Sequence, residues 1–352
     1  MGSRIACHFA NIGVEVILLD IVPFELNDQE KAKGLTLEMP AVRNRLVNEA
    51  LKSALKSKPS PIYDKKFASL IQTGNFSDDM HRIAEADWVI EVVVERLDIK
   101  KQIFEQVEQH RKLGTLITSN TSGIPMQMML DGRSEDFKKH FCGTHFFNPP
   151  RYLRLLEIIP SPETSPEVID FLTHYGELYL GKETVLCKDT PAFIANRVGV
   201  YSLMSSIHAT EKMGLSVSEV DKLTGTIIGH AKSATFRTSD LVGLDTTVNV
   251  ANNLYQALLH DESRETLKLP TIVEKLAERK WLGDKTKQGF FKKTRTSEGK
   301  RKILELNLQT LEYQDRTRVK YPVLEQVKDI ENVKERLPIL VNSEGKAGEF
   351  YR

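Results

Sequence analysis

Met1-Gly-Ser-Arg-Ile-Ala-Cys-His-Phe-Ala10, then Asn11-Ile-Gly13, then Val14-Glu-Val-Ile-Leu-Leu-Asp20 is the stretch that decides the fold. Ile5, Ala6, Phe9 and Ala10 recur at helical spacing, so Gly2–Ile12 reads as an amphipathic helix. Gly13 supplies the residue on which such helices commonly stop. The apolar run after it reads as a strand closed by an acid. A helix followed by such a strand is the second half of a dinucleotide-binding unit, which normally opens with a strand and a Gly-x-Gly-x-x-Gly turn. Gly2 then stands where the third glycine would, and Asp20 where an acid would accept hydrogen bonds from the adenosine ribose. On this reading the opening strand and the first two glycines are missing. The strands that would flank the opening one are then left with unpaired backbone edges. An ordinary helix–strand pair, with Asp20 merely capping a turn, meets the same local pattern.

Working outward, β-rich runs alternate with amphipathic ones, the signature of a parallel sheet covered by helices. Val42–Lys58 reads as a helix closed by Pro59 and Pro61, and Asp98–Lys112 as another. Trp88–Val94, Thr115–Ser119, Cys142–Phe147 and Leu153–Ile159 read as strands. From Thr190 onward helical patterns dominate, at Ala192–Met213, Val217–Thr224, Thr246–Leu259 and Thr271–Arg279. The expected organisation is a doubly wound α/β domain over residues 1–187, an all-α domain over 188–294, and a polar, weakly periodic linker or extension of unknown role over 295–352. The charged run Arg295-Thr-Ser-Glu-Gly-Lys-Arg-Lys302 reads as an exposed turn or linker.

The chain of 352 residues is long enough for two domains with their own cores. A net charge of +1 gives no basic surplus for nucleic acid, so an anionic ligand needs a local site. Cys7, Cys142 and Cys187 are scattered and form no Cys/His cluster, so no metal is expected and a reducing compartment is. The apolar runs are too short to span a bilayer, and the N-terminus lacks a signal-peptide pattern. The expected location is therefore cytoplasmic.

Chemistry concentrates in Ser119-Asn-Thr-Ser122, Gly143-Thr-His145-Phe-Phe-Asn148-Pro-Pro and Glu157. Oxidising an alcohol needs a base for the hydroxyl proton, and histidine titrates near neutrality. A carboxylate on its other nitrogen fixes the tautomer and stabilises the imidazolium. His145 and Glu157 fall on two successive predicted strands, a spacing that fits a side-by-side pair. A structural histidine beside the apolar Phe146-Phe147 pair, and a polar turn at Ser119–Ser122, are the plainer readings of the same residues.

Thr144-His-Phe-Phe-Asn-Pro149, Ser119-Asn-Thr-Ser122, Lys188-Asp-Thr-Pro-Ala-Phe-Ile-Ala-Asn-Arg197, Val242-Gly-Leu-Asp-Thr-Thr247 and Lys287-Gln-Gly-Phe-Phe-Lys292 together resemble the 3-hydroxyacyl-CoA dehydrogenase family over about residues 1–293. The resemblance is nearest to long multifunctional bacterial proteins that also carry an enoyl-CoA hydratase unit, from which this chain would be a piece shortened at both ends. It implies a Rossmann-type sheet lacking its first strand, followed by the helical domain, and NAD-dependent oxidation of (S)-3-hydroxyacyl-CoA in fatty acid β-oxidation. It makes His145 the catalytic base and Glu157 its paired carboxylate, with Ser122 and Asn196 bonding the substrate's reacting oxygen. Gly2, Asp20, Glu95 and Lys100 become cofactor-site residues. The helix bearing Lys52, Lys56 and Lys58 would meet the coenzyme A phosphates, with Lys56 the candidate named and the choice among the three left open. A homodimer is implied, and a fused or associated hydratase unit is a further partner.

The plainer reading of Glu95 and Lys100 is a solvent-exposed helix start. Gly229-His-Ala-Lys-Ser-Ala-Thr-Phe236 departs from the family's Pro/Gly-rich turn and leaves the acyl-chain preference open. Two other functions fit the fold. One is a non-catalytic acyl-CoA-binding or structural relative with an incomplete cofactor loop. The other is a β-hydroxyacid dehydrogenase, against which the His145–Glu157 pair speaks.

Overall fold

Helix α1 (Gly2–Ala10) packs its Ile5 and Phe9 against the strands that follow it, and Gly13 ends the turn at φ +86. The computed structural model describes residues 1–352, which divide into two units, Met1–Ile194 and Ala195–Arg352. In the first unit the strands are β1 (Val16–Asp20), β2 (Ile71–Asn75), β3 (Trp88–Glu91), β4 (Leu116–Ser119), β5 (Phe141–Phe146), β6 (Leu155–Pro160) and β7 (Glu183–Leu186). The main helices after α1 are α2 (Arg45–Lys56), α3 (Leu97–His110), α4 (Met126–Leu130) and α5 (Pro166–Leu178).

These strands do not form one sheet. β1 pairs in parallel with β2 alone, from Val16 opposite Ile71 to Asp20 opposite Asn75. β3 begins a separate sheet ordered β3-β4-β5-β6-β7, parallel throughout except at the antiparallel β5–β6 pair. No ladder joins β1 to β3. Both nonetheless lie against α1: a Cβ on Gly2 would stand 3.7 Å from Val92 Cβ and 3.9 Å from Leu18 Cδ1. Leu19 and Val89 pack on one shared core, built around Phe104, Phe137 and Phe141, and Val16 and Ile90 on another with Phe9 and Phe146. The aromatic centre of the first is tightly set, Phe104 meeting Phe141 edge-on at 5.4 Å.

Several elements differ from the sequence reading, each for a local reason. α1 is buried on more than its apolar face, because His8 and Cys7 are enclosed as well as Ile5 and Phe9. The single helix expected over Val42–Lys58 is broken at Asn44, whose Oδ1 accepts a hydrogen bond from Asn75 Nδ2 at 2.8 Å. Asn44 leaves helical backbone there, at φ −97 and ψ 11, and asparagine is a weak helix former. β2 and β7 are not legible in the sequence, since Ile71-Gln-Thr-Gly-Asn75 and Glu183-Thr-Val-Leu186 carry too few apolar residues for a strand pattern. The boundary between units falls after Ile194 instead of after 187, because Cys187 and Phe193 are buried in the first unit's core.

The second unit is helical through α6 (Ala195–Met213), α7 (Val217–Leu223), α8 (Phe236–Val242), α9 (Leu244–Ala257) and α10 (Thr271–Glu278). Beyond it the expected linker is instead folded structure. β8 (Phe291–Arg295), β9 (Arg301–Leu306) and β10 (Tyr313–Asp315) make an antiparallel sheet, with the charged run forming the β8–β9 hairpin. Helices α11 (Pro322–Val327), α12 (Val333–Val341) and α13 (Gly345–Tyr351) close a cluster of Leu223, Tyr321, Leu324, Val327 and Leu340. Few, widely spaced anchors bury this segment, which is why its periodicity is weak.

The motif Lys287–Lys292 has a clear physical role here. Asp240, buried in α8, accepts hydrogen bonds from Phe290 N at 2.9 Å and Phe291 N at 2.8 Å. Gly289 and Gly283 crowd Asp240 so closely that a Cβ at either would overlap it.

Candidate active site

β5 and β6 are antiparallel, and their register sets His145 directly opposite Glu157. Directly opposed residues on one face have neighbouring side chains, and His145 Nδ1 lies 2.7 Å from Glu157 Oε2. The histidine is 5% exposed and the glutamate wholly buried. A buried carboxylate at this distance requires the proton on Nδ1, so Nε2 is the nitrogen left with a lone pair for a proton to be taken up. The other carboxylate oxygen, Oε1, accepts from Ile194 N at 3.0 Å. Cys187 adjoins the same carboxylate; burial first, and that negative charge second, push its thiol up to about 12.

The chain reaching Ile194 is unusual. Ala192 and Phe193 both take left-handed backbone, at φ +59 and +53. Such residues cost about 1–2 kcal/mol each and are held only where surroundings demand it. The demand here is the amide of Ile194 on Glu157 and the ring of Phe193, 5.8 Å from that of His145. Phe147 closes the other approach at 4.5 Å between ring centres.

At the C-terminal ends of β3 and β4 a polar network arranges the Ser119–Ser122 turn. Glu91 and Lys100 form a buried ion pair, Nζ to Oε1 2.8 Å and to Oε2 3.0 Å, with side chains 0% and 1% exposed. Ser119 Oγ adds a 2.5 Å bond to Glu91. Glu95 accepts from Thr121 Oγ1 at 2.6 Å and from Ser122 N at 2.9 Å. Burial pushes the Glu95 carboxyl up, but the Thr121 hydroxyl, the Lys100 charge and the Ser122 amide outweigh it and hold the group below the ordinary carboxylate range. The exposed-helix-start reading is thereby corrected for Lys100, which is interior, whereas Glu95 is exposed but tied to the turn that presents Ser122. Asn120 Oδ1 accepts from Phe146 N at 2.9 Å, linking this turn to the strand of His145.

Asp20 closes β1, and its Oδ1 accepts from Ile21 N at 2.8 Å. Gly2 begins α1, whose N-terminal dipole favours an anion. An acid at a strand end and a helix start without a Cβ fit the ribose and pyrophosphate of a dinucleotide. Lys52 and Lys56 lie on exposed α2, where with Glu49, Ser53 and Ser57 they line a shallow open depression; Lys58 is exposed just beyond that helix. Asn196 stands in the first turn of α6, in the second unit. No helix is long and apolar enough to cross a membrane.

The family model described as the 3-hydroxyacyl-CoA dehydrogenase NAD binding domain matches residues 1–190, and the one described as the C-terminal domain of the same family matches residues 193–293. The chain belongs to the 3-hydroxyacyl-CoA dehydrogenase family. A Bacillus subtilis protein named "Probable 3-hydroxyacyl-CoA dehydrogenase" is 51% identical over 350 residues, covering 99% of this chain and 44% of that protein. The chain thus spans less than half of that relative. A Deinococcus radiodurans protein of the same name is 42% identical over 295 residues, covering 84% of this chain and 80% of its own length. Among solved structures, M. tuberculosis FadB2 is similar at a TM-score of 0.65 and 25% identity, over 82% of this chain and 94% of that one. This 3-hydroxyacyl-CoA dehydrogenase family member therefore matches the family's NAD-binding Rossmann-type domain and its helical C-terminal domain.

Sequence reasoning overlooked Glu91, Thr121, Cys187 and Ile194. Glu91 left a signal, as the lone acid inside the apolar Trp88–Val94 run. Ile194 left none, because it acts through its backbone.

Proposed function

We propose that this chain oxidises (S)-3-hydroxyacyl-CoA to 3-oxoacyl-CoA with NAD, within fatty acid β-oxidation. The observation that carries the reading is the buried His145–Glu157 pair, with Nδ1 held at 2.7 Å from the carboxylate. His145 Nε2 takes the proton of the substrate hydroxyl as the C3–H bond breaks and the carbonyl forms. Glu157 stabilises the imidazolium so produced, and the Ile194 amide keeps Glu157 in place. NAD, when bound, accepts the hydride. Ser122 and Asn196 bond the reacting oxygen, Asp20 and Gly2 receive the adenosine half of the cofactor, and Lys56 with Lys52 meets the coenzyme A phosphates. Glu95 and Lys100 serve the same site by holding the Ser122 turn.

A cytoplasmic location, a homodimer and a hydratase unit, fused or associated, complete the proposal. A strained turn spent on orienting a carboxylate argues against a purely structural relative.

The test is loss of reduced-nicotinamide absorbance on mixing the chain, NADH and acetoacetyl-CoA. Saturable turnover is the expected result. A folded sample without turnover that still binds acetoacetyl-CoA would instead assign it the binding role.

A further inference from the structure

We propose that Lys182 is a positioning residue for the reaction: its buried ammonium pins the loop of residues 147–154, which joins the strand of His145 to that of Glu157 and shapes the acyl-CoA side of the site. Lys182 stands just before β7 and is 4% exposed. Its Nζ donates to the carbonyl of Pro150 and, at 2.9 Å, to that of Leu153. Lysine is seldom buried without a paired acid. Here no carboxylate takes part, and two charge-assisted bonds to loop carbonyls offset the loss of water. The Phe146 ring centre lies 5.9 Å from the same nitrogen.

The pinned loop reaches two parts of the proposed site, and the inference rests on that acyl-CoA reading. Phe147 opens the loop, its ring centre 4.5 Å from that of His145. Further along, Arg151 Nη1 donates to Ser60 O at 2.7 Å, and Tyr152 Oη donates to the same oxygen at 2.9 Å. Ser60 follows α2, the helix proposed to meet the coenzyme A phosphates. Those two bonds are exposed, whereas the bond from Lys182 to Pro150 is buried. Tyr152 and Leu153 are exposed too, so the loop takes its position from inward-facing carbonyls more than from packed side chains.

The pin is sensitive to alkali. Burial lowers the Lys182 pKa to about 8, so its charge is lost as pH rises through that value. The groups around it do not oppose this. His8 of α1 is neutral there, its own pKa depressed to about 4 by burial and then by Lys182, and Arg151 carries like charge. The nearby acids in sequence, Glu177 and Glu183, are engaged at the surface by Thr184 and Arg154.

The experiment compares the full native chain with Lys182→Met between about pH 7 and about pH 9.5, by steady-state kinetics and by hydrogen exchange. The variant should raise KM for acetoacetyl-CoA about tenfold or more and leave that for NADH within about threefold. The ratio of the two chains' acetoacetyl-CoA KM values should shrink as pH rises through about 8, a change that a merely structural lysine does not produce. The amides of Tyr152 and Leu153, bonded to Pro149 O at 3.0 Å, should exchange about tenfold faster in the variant, with β4 and β5 unchanged. A KM for acetoacetyl-CoA within about threefold of native, a ratio that does not move with pH, or exchange that rises equally across the sheet would overturn the proposal. Lys182→Gln, which keeps a donor for one carbonyl, faces the same outcomes if the methionine variant does not fold. Where the native chain binds acetoacetyl-CoA without turnover, Kd by calorimetry replaces KM. A native chain that neither binds nor turns over fails the proposed function and this inference together, whereas native turnover with an unaffected variant fails this inference alone.

Discussion

Replacing Glu157 by Gln tests the centre of the mechanism with almost no change of shape. In the native pair, opposite charges separated by 2.7 Å would attract by about 6 kcal/mol at an effective dielectric of about 20. A neutral amide recovers roughly 1–3 kcal/mol of this as an ordinary hydrogen bond. The remaining loss, about 3–5 kcal/mol, falls on the step that forms the imidazolium and corresponds to a decrease in kcat of about a hundred- to several-thousand-fold. The tautomer shifts in the same direction. The carbonyl of the introduced amide keeps the bond from Ile194 N, which leaves its NH2 facing His145 Nδ1 and drives the ring proton to Nε2. Steady-state reduction of acetoacetyl-CoA by NADH, with KM for both ligands and thermal melting as controls, reads the effect. A kcat within about threefold of the native protein, with folding intact, would refute the assignment.

The buried Lys100 gives a stability prediction. Lys100→Met leaves Glu91 charged and interior, costing about 3–5 kcal/mol and roughly 10 °C in Tm, and adding Glu91→Gln should return most of it; calorimetry of the three variants decides. His8 gives a pH dependence. Burial chiefly, then the Lys182 charge, depresses its pKa to about 4, so the stability it contributes is complete above about 6.5 and is lost as pH falls towards 4. His8→Leu should flatten denaturant-measured stability across that window, and an unchanged slope would contradict the reading. In the second unit, Gly289→Ala forces a Cβ into Asp240 and within 2.8 Å of Gly283 Cα, with an expected cost of about 3 kcal/mol or more. Limited proteolysis should then cut preferentially within Ala195–Arg352, and native-like resistance would show the contact to be tolerated.

The sequence by itself determined the alternation of strands and helices and the two-part organisation, and it set His145 and Glu157 on neighbouring strands as a candidate pair. Each of these rests on periodicity or on side chains that the chemistry singles out. Tertiary structure decided the rest. β2 exists because β1 offers it an edge, and its own residues carry little pattern. Lys100 is interior because Glu91 and Ser119 surround it, although the same lysine on a helix start looks solvated. The segment after 294 folds because scattered residues such as Tyr321, Val327 and Leu340 converge from distant positions. The amide of Ile194 reaches Glu157 through two left-handed residues, a backbone event that no side chain announces. Local pattern reports what a segment can bury, whereas partners far away in sequence determine what it must bury.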